Sequence, residues 1–152
     1  MTQSMFYDDF EPGQVFTSQG RTMTETDLTM FSMLTGDWNP VHSDAEFAKE
    51  TKFGQRLMHG AFGIGLGIGL MHTLGIFEDS AVALLDVSEW KFLEPVFVGD
   101  TLHLRLTILD KSPGRSGNTG RIGRRFELIN QHGRPAHSGR ADVLVRVKRP
   151  EV

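Results

Sequence analysis

Asp37 and His42 stand five residues apart in the stretch Phe31 to Ala48, FSMLTGDWNPVHSDAEFA, with Pro40 between them. Proline fixes its own φ and pushes the preceding residue out of the helical region, so Asn39 is expected to turn the chain rather than continue a helix. A carboxylate and an imidazole on one short, bent segment can converge on a single small molecule, such as a water. That is the equipment of general acid–base catalysis, in which geometry comes before pKa. The same residues also fit a plainer reading, a helix C-cap at Gly36 followed by a polar loop.

The elements that must hold this pair are legible on both sides of it. Thr24 with Asp27 three residues on resembles a capping box, and Leu28, Phe31, Leu34 and Thr35 then recur at helical spacing until Gly36 stops the run. A short amphipathic helix should therefore deliver Asp37 into the turn. Ser43 or Asp44 can cap a second short helix running through Lys49, burying Phe47 and Ala48. Upstream, Phe6, Phe10 and Phe16 lie among turn formers, consistent with an entry loop and a first short strand around Val15 to Ser18.

From Ala61 to Ile76, glycines at 63, 65, 67 and 69 alternate with apolar residues and imitate a strand by period. Each glycine costs a helix about 1 kcal/mol relative to alanine. The segment is too long for an ordinary strand and nearly free of β-branched residues beyond Ile, so a helix is predicted. Leu57 to Phe77 lacks Asp, Glu, Lys and Arg, but its glycines and its histidines at 59 and 72 favour a buried central helix over a membrane span.

The second half reads as sheet. Val82 to Val87 and Trp90 to Leu93 form one apolar stretch, slipping phase near Ser88-Glu89, where a bulge would explain it. Glu94 to Asp100 turns. Leu102, Leu104, Leu106 and Ile108 then alternate cleanly with polar residues. Ser112 to Gly120 is a hairpin loop, Ile122 to Asn130 a returning strand, and Gln131 to Pro135 a turn. Ala141, Val143, Val145 and Val147 form the last strand. Helices first and strands second favour α+β over βαβ repeats, and no internal repeat or second domain is visible.

The residues around the turn resemble the MaoC-type dehydratases, or R-specific enoyl-CoA hydratases, of the hotdog superfamily. The family signature is met by Phe31, Leu34, Thr35, Gly36, Asp37, Asn39, Pro40, Val41, His42 and Ala48. The resemblance implies one hotdog domain over residues 1–152, a curved antiparallel sheet around a long central α-helix, and a homodimer. It implies hydration of a trans-2-enoyl-CoA, with Asp37 and His42 holding one water. Asn39 would orient the pair, although ordinary Asn-Pro turn chemistry accounts for it equally. In the family, the glycine at the His-Gly step donates to the thioester oxygen, here Gly60. At the start of a helix its N–H is unpaired and backed by the dipole, while a tight turn would demand the same glycine. Several members carry a serine five residues past that glycine. Here it is Gly65, which removes a polar contact and enlarges the pocket.

Other polar residues are assigned lesser roles. His72 reads as a core histidine, His59 as a turn residue that could also shape the site beside Gly60, and His103, His132 and His137 as residues of strand and turn surfaces. Without a Glu-x-x-His or His-x-x-x-His pair, no metal site is expected. No cofactor is expected either, coenzyme A entering as part of the substrate. Its phosphates would want cations, for which Lys52, Arg56, Lys91, Arg121, Arg124 and Arg125 are candidates, each also at home on a solvated surface.

A length of 152 residues fits a single domain with a real core, and a net charge of −3 gives no sign of a nucleic-acid partner. The absence of cysteine excludes disulfides and thiolate chemistry and fits a cytoplasmic protein. The opening MTQSMFYDDFEPGQ has no basic region or apolar core of a signal peptide. The expected activity is thus a hydro-lyase. Its rivals are an acyl-CoA thioesterase on the same fold and a non-catalytic acyl-CoA-binding regulatory protein.

Overall fold

The computed structural model describes residues 4–148, so the outer ends of the expected 1–152 domain, and the first three residues of the segment read for a signal peptide, lie outside the described residues. In chain order the elements are β1 (Val15–Thr17), β2 (Arg21–Thr22), α1 (Glu25–Thr35), α2 (Pro40–Ser43), α3 (Ala45–Lys49) and α4 (Gly60–His72). They are followed by β3 (Ala81–Phe92), β4 (Thr101–Pro113), β5 (Thr119–Ile129) and β6 (Pro135–Arg146). The strands form an antiparallel sheet in spatial order β1-β4-β5-β6-β3, with β2 also paired to β4.

The alternation in β4 buries Leu102, Leu104, Leu106 and Ile108 on one sheet face, where Ile122, Phe126 and Leu128 of β5 join them. Against that face lies α4, and its glycines explain how closely. A Cβ at Gly63 would overlap the His137 ring on β6, and one at Gly67 would come 3.1 Å from the Phe126 ring on β5. At Gly60 it would meet the Phe92 ring of β3 at 3.0 Å. Three strands thus reach one helix, which requires a sheet curled around it. This is the hotdog architecture that the resemblance implies. Gly65 and Gly69 point the other way, where an added Cβ would meet nothing within 4 Å.

Several boundaries differ from the sequence reading. The central helix stops at His72 instead of Ile76, leaving that histidine exposed rather than in the core. The hairpin loop shrinks to residues 114–118 because cross-strand pairing continues to Pro113↔Gly120. β6 begins already at Pro135. In β3 the expected bulge appears as a register shift between Ser88 and Lys91, with Glu89 at φ 53°, and two further shifts precede it.

His137, expected on the surface, is buried against Gly63 and the Phe92 ring, with ring centroids 5.0 Å apart. Burial pushes its pKa down to about 4. Arg124, taken as a solvated candidate for coenzyme A, is a core residue. Its Nε donates to the Ala141 carbonyl at 2.7 Å, and its guanidinium lies 5.0 Å from the Phe77 ring and 5.1 Å from that of Phe126. Burial lowers its pKa to about 10, opposed by the charge of Asp142, so the cation persists at neutral pH.

Candidate active site

The local chemistry of the chain builds the turn step by step. Thr24 and Asp27 form the reciprocal box that starts α1, Thr24 Oγ1 accepting from Asp27 N–H and the Asp27 carboxylate accepting from Thr24 N–H. Gly36 ends the helix in the left-handed conformation at φ 77°, its N–H donating to the Ser32 carbonyl. Asn39 leaves the helical region, with φ −49° and ψ 135°, as a residue before proline should, and Pro40 opens the one-turn helix α2 at the position where its missing N–H costs nothing. The proline thus starts a short helix where the sequence indicated only a turn. Asp44, one of the two expected caps, starts α3 by accepting from Glu46 and Phe47 N–H. Ala48 is buried there as expected, but Phe47 is exposed because α3 turns that side outward.

Within this frame the two side chains meet. His42 Nε2 lies 3.9 Å from Asp37 Oδ2, too far for a hydrogen bond. The His42 Nδ1–H donates to the Leu57 carbonyl at 2.8 Å, which fixes the tautomer and leaves Nε2 with a lone pair. Asp37 Oδ1 accepts from Asn39 N–H at 3.2 Å, which leaves Oδ2 toward the imidazole. Asn39 itself spends Oδ1 on Val41 N–H, so its side-chain oxygen acts on the turn.

Beside the pair, Gly60 opens α4, and its N–H has no acceptor among the described residues. Gly60 and His42 line the same cleft, of about 400 Å³, with Lys52, Leu57, Phe92 and His137. Of the cations considered for phosphate, Lys52 stands at this cleft. Arg56 is paired with Glu25 at 2.6 Å, and Arg121 with Asp110 and Asp142 on the sheet. Lys91 and Arg125 fall between inward-facing neighbours on their strands, and so point to the outer face.

The residue that sequence reasoning undervalued is His59. Its buried ring stacks on His42 at 3.8 Å between centroids, and its Nε2 lies 3.0 Å from the Asp37 carbonyl oxygen. The available signal was its place directly before Gly60, which was read as turn duty. Asp37, His42 and His59 each bring a possible metal-ligand atom within 4.8 Å of the others. The donor set does not suit a cation as it stands. His59 Nε2 faces a carbonyl that can only accept, so that nitrogen carries its hydrogen and has no lone pair to give.

A family model described as MaoC like domain matches residues 9–126 of the chain. The chain belongs to the MaoC-like family. Among its relatives, protein MaoC of Klebsiella aerogenes is 35% identical over 107 residues, covering 70% of this chain and 31% of that much longer protein. An (R)-specific enoyl-CoA hydratase from Rhodospirillum rubrum is 29% identical over 140 residues, covering 92% of this chain and 91% of its own. The solved R-hydratase of Pseudomonas aeruginosa superimposes with a TM-score of 0.74 at 29% identity, over 98% of this chain and 94% of its own.

Proposed function

We propose that this MaoC-like chain reversibly hydrates a trans-2-enoyl-CoA to the (R)-3-hydroxyacyl-CoA. The observation that carries the reading is the 3.9 Å gap between two acceptors, Asp37 Oδ2 and His42 Nε2. Neither can donate to the other. A water giving one hydrogen to each satisfies both and turns its lone pair outward. As that oxygen bonds to the β-carbon, the π pair moves toward the thioester carbonyl and an enolate forms. The water's proton is taken by one of the two acceptors. The group that took that proton then returns it to the α-carbon, so that H and OH of one water are added overall and both side chains end as they began. Each such positioned transfer is typically worth about 10²–10⁴ in rate. The free Gly60 N–H, backed by the first turn of α4, is placed to receive the enolate oxygen, a contact typically worth about 3–4 kcal/mol.

The names of the full-length relative and of the solved R-hydratase support the substrate class, and Lys52 at the cleft offers a cation to a coenzyme A phosphate. A homodimer is part of the same reading. Among the described residues β3 pairs only with β6, and its Val82, Leu84, Leu85 and Val87 are exposed along the other edge, a surface that a second copy would cover.

Crotonyl-CoA tests the reaction directly. Loss of the enoyl absorbance without free thiol is the expected result. Release of thiol would assign the thioesterase activity instead, and no change in either signal would leave a binding protein.

A further inference from the structure

His59 touches both members of the acid–base pair and precedes Gly60 directly, yet the chemistry above does not call on it. The residue is 3% exposed. Nε2 lies 3.0 Å from the Asp37 carbonyl oxygen and 3.2 Å from Ser32 Oγ, and the Ser32 side chain is itself buried in α1. Because the carbonyl only accepts, Nε2 carries the hydrogen and Nδ1 is bare. The ring stacks on His42 at an interplanar angle of 24° and meets Phe31 at 4.9 Å between centroids. The same residue is the N-cap of α4, directly before Gly60. One side chain therefore joins α1, the loop carrying Asp37, α2 and the start of the central helix.

We propose that His59 is a positioning residue of the acid–base pair: its Nε2–H pins the Asp37 main chain and so fixes where the carboxylate meets His42. The inference rests on the hydratase reading for its consequence in turnover, but the geometry behind it does not. Asp37 follows the left-handed Gly36, its side chain is half exposed, and among the described residues its own N–H reaches only Thr35 Oγ1 at 3.3 Å. Its carbonyl has His59 as its hydrogen-bond partner among the described residues. Without that bond Asp37 keeps, among the described residues, only the short-range hydrogen bonds of the turn, from its N–H to Thr35 Oγ1 and from Asn39 N–H to its carboxylate. A displacement of about 1 Å at a reacting group can cost on the order of 10²-fold in rate. A histidine that merely filled space would be replaceable by another ring of similar size.

Two substitutions separate the roles. His59→Phe keeps a ring against His42 and removes the donor. His59→Gln places an amide N–H near the position of Nε2 and removes the ring. With crotonyl-CoA, His59→Phe is expected to lower kcat on the order of 10²-fold with KM nearly unchanged, and His59→Gln to retain most of the turnover. Wild-type kcat in His59→Phe overturns the proposal. So does a loss in both variants that only tracks their folded fraction by circular dichroism. Nitrogen-15 imidazole spectra of the free wild-type protein read the same geometry without substrate. They are expected to show His59 protonated on Nε2 and His42 on Nδ1. The opposite tautomer at His59 overturns the proposal whatever the enzyme does. An inactive wild type with the expected tautomers condemns the hydratase reading instead and leaves His59 as the pin of Asp37. Should His59→Phe fail to fold, the glutamine variant and the tautomers still decide.

Discussion

Asp37 has two carboxylate oxygens, and the turn occupies one of them through Asn39 N–H, which leaves Oδ2 for the proposed chemistry. His42 is prepared in the same way, with Nδ1–H held by the Leu57 carbonyl. On the proposed mechanism both partners act on one water, so their effects on rate should overlap rather than add. Asp37→Asn and His42→Gln are each expected to lower kcat for crotonyl-CoA by about 10²–10⁴. The double variant should fall little below the worse single one. A double variant slowed by the product of the two factors would mean that the groups act on different steps, and unchanged turnover in either single variant would remove the mechanism.

At the scale of the elements, α4 divides its glycines between two duties. Gly63 lets the helix lie on His137, whereas Gly65 faces open space in the subunit. Gly63→Ala should therefore destabilise by about 1–3 kcal/mol through overpacking. Gly65→Ala should be neutral or gain up to about 1 kcal/mol from helix propensity. Thermal melting of the pair checks this, and equal shifts would refute the division. The edge of β3 carries the other expectation. If the proposed dimer forms through this edge, Leu84→Lys should leave a monomer in light scattering while the far-ultraviolet spectrum is kept. A monomeric wild type would refute it.

These elements also show what was readable beforehand. The clean alternation of β4 and the capping chemistry of α1 are local, so sequence placed them correctly. The meeting of Asp37 with His42 was readable because both sit on one bent segment. What escaped depends on contacts between distant segments. Arg124 and His137 look like surface residues by type, and only the curl of β5 and β6 over α4 buries them. His59 acquires its partners from α1 and α2, and no spacing within its own segment announces them.

For the molecule as a whole, acid stability follows from what is buried. His137 has its pKa depressed by burial to about 4 against an ordinary 6.5, so the unfolded chain binds the extra proton between those values. Stability is full above about pH 6.5 and is lost as pH falls toward about 4, by up to about 3 kcal/mol. Lower still, Asp142 takes over. Burial alone would raise its carboxyl, but hydrogen bonds from Arg140 and Arg121 outweigh that and hold it below the ordinary carboxylate range. Its contribution is present above its unfolded pKa and lost as the pH drops through its folded value. Denaturant midpoints at pH 7 and pH 5 should therefore separate in the wild type and draw together in His137→Asn. A gap of the same size in the variant would assign the acid loss to other groups.

The pairing of β3 with β6 matches Ala81 to Val145 across most of the second half of the chain. A ribosome adds about 5–20 residues per second, so the apolar run from Val82 to Leu85 leaves the exit tunnel several seconds before its partner is made. During synthesis this segment is therefore the natural target for chaperones. Nascent chains halted ahead of β6 should be bound by them far more strongly than chains released after it.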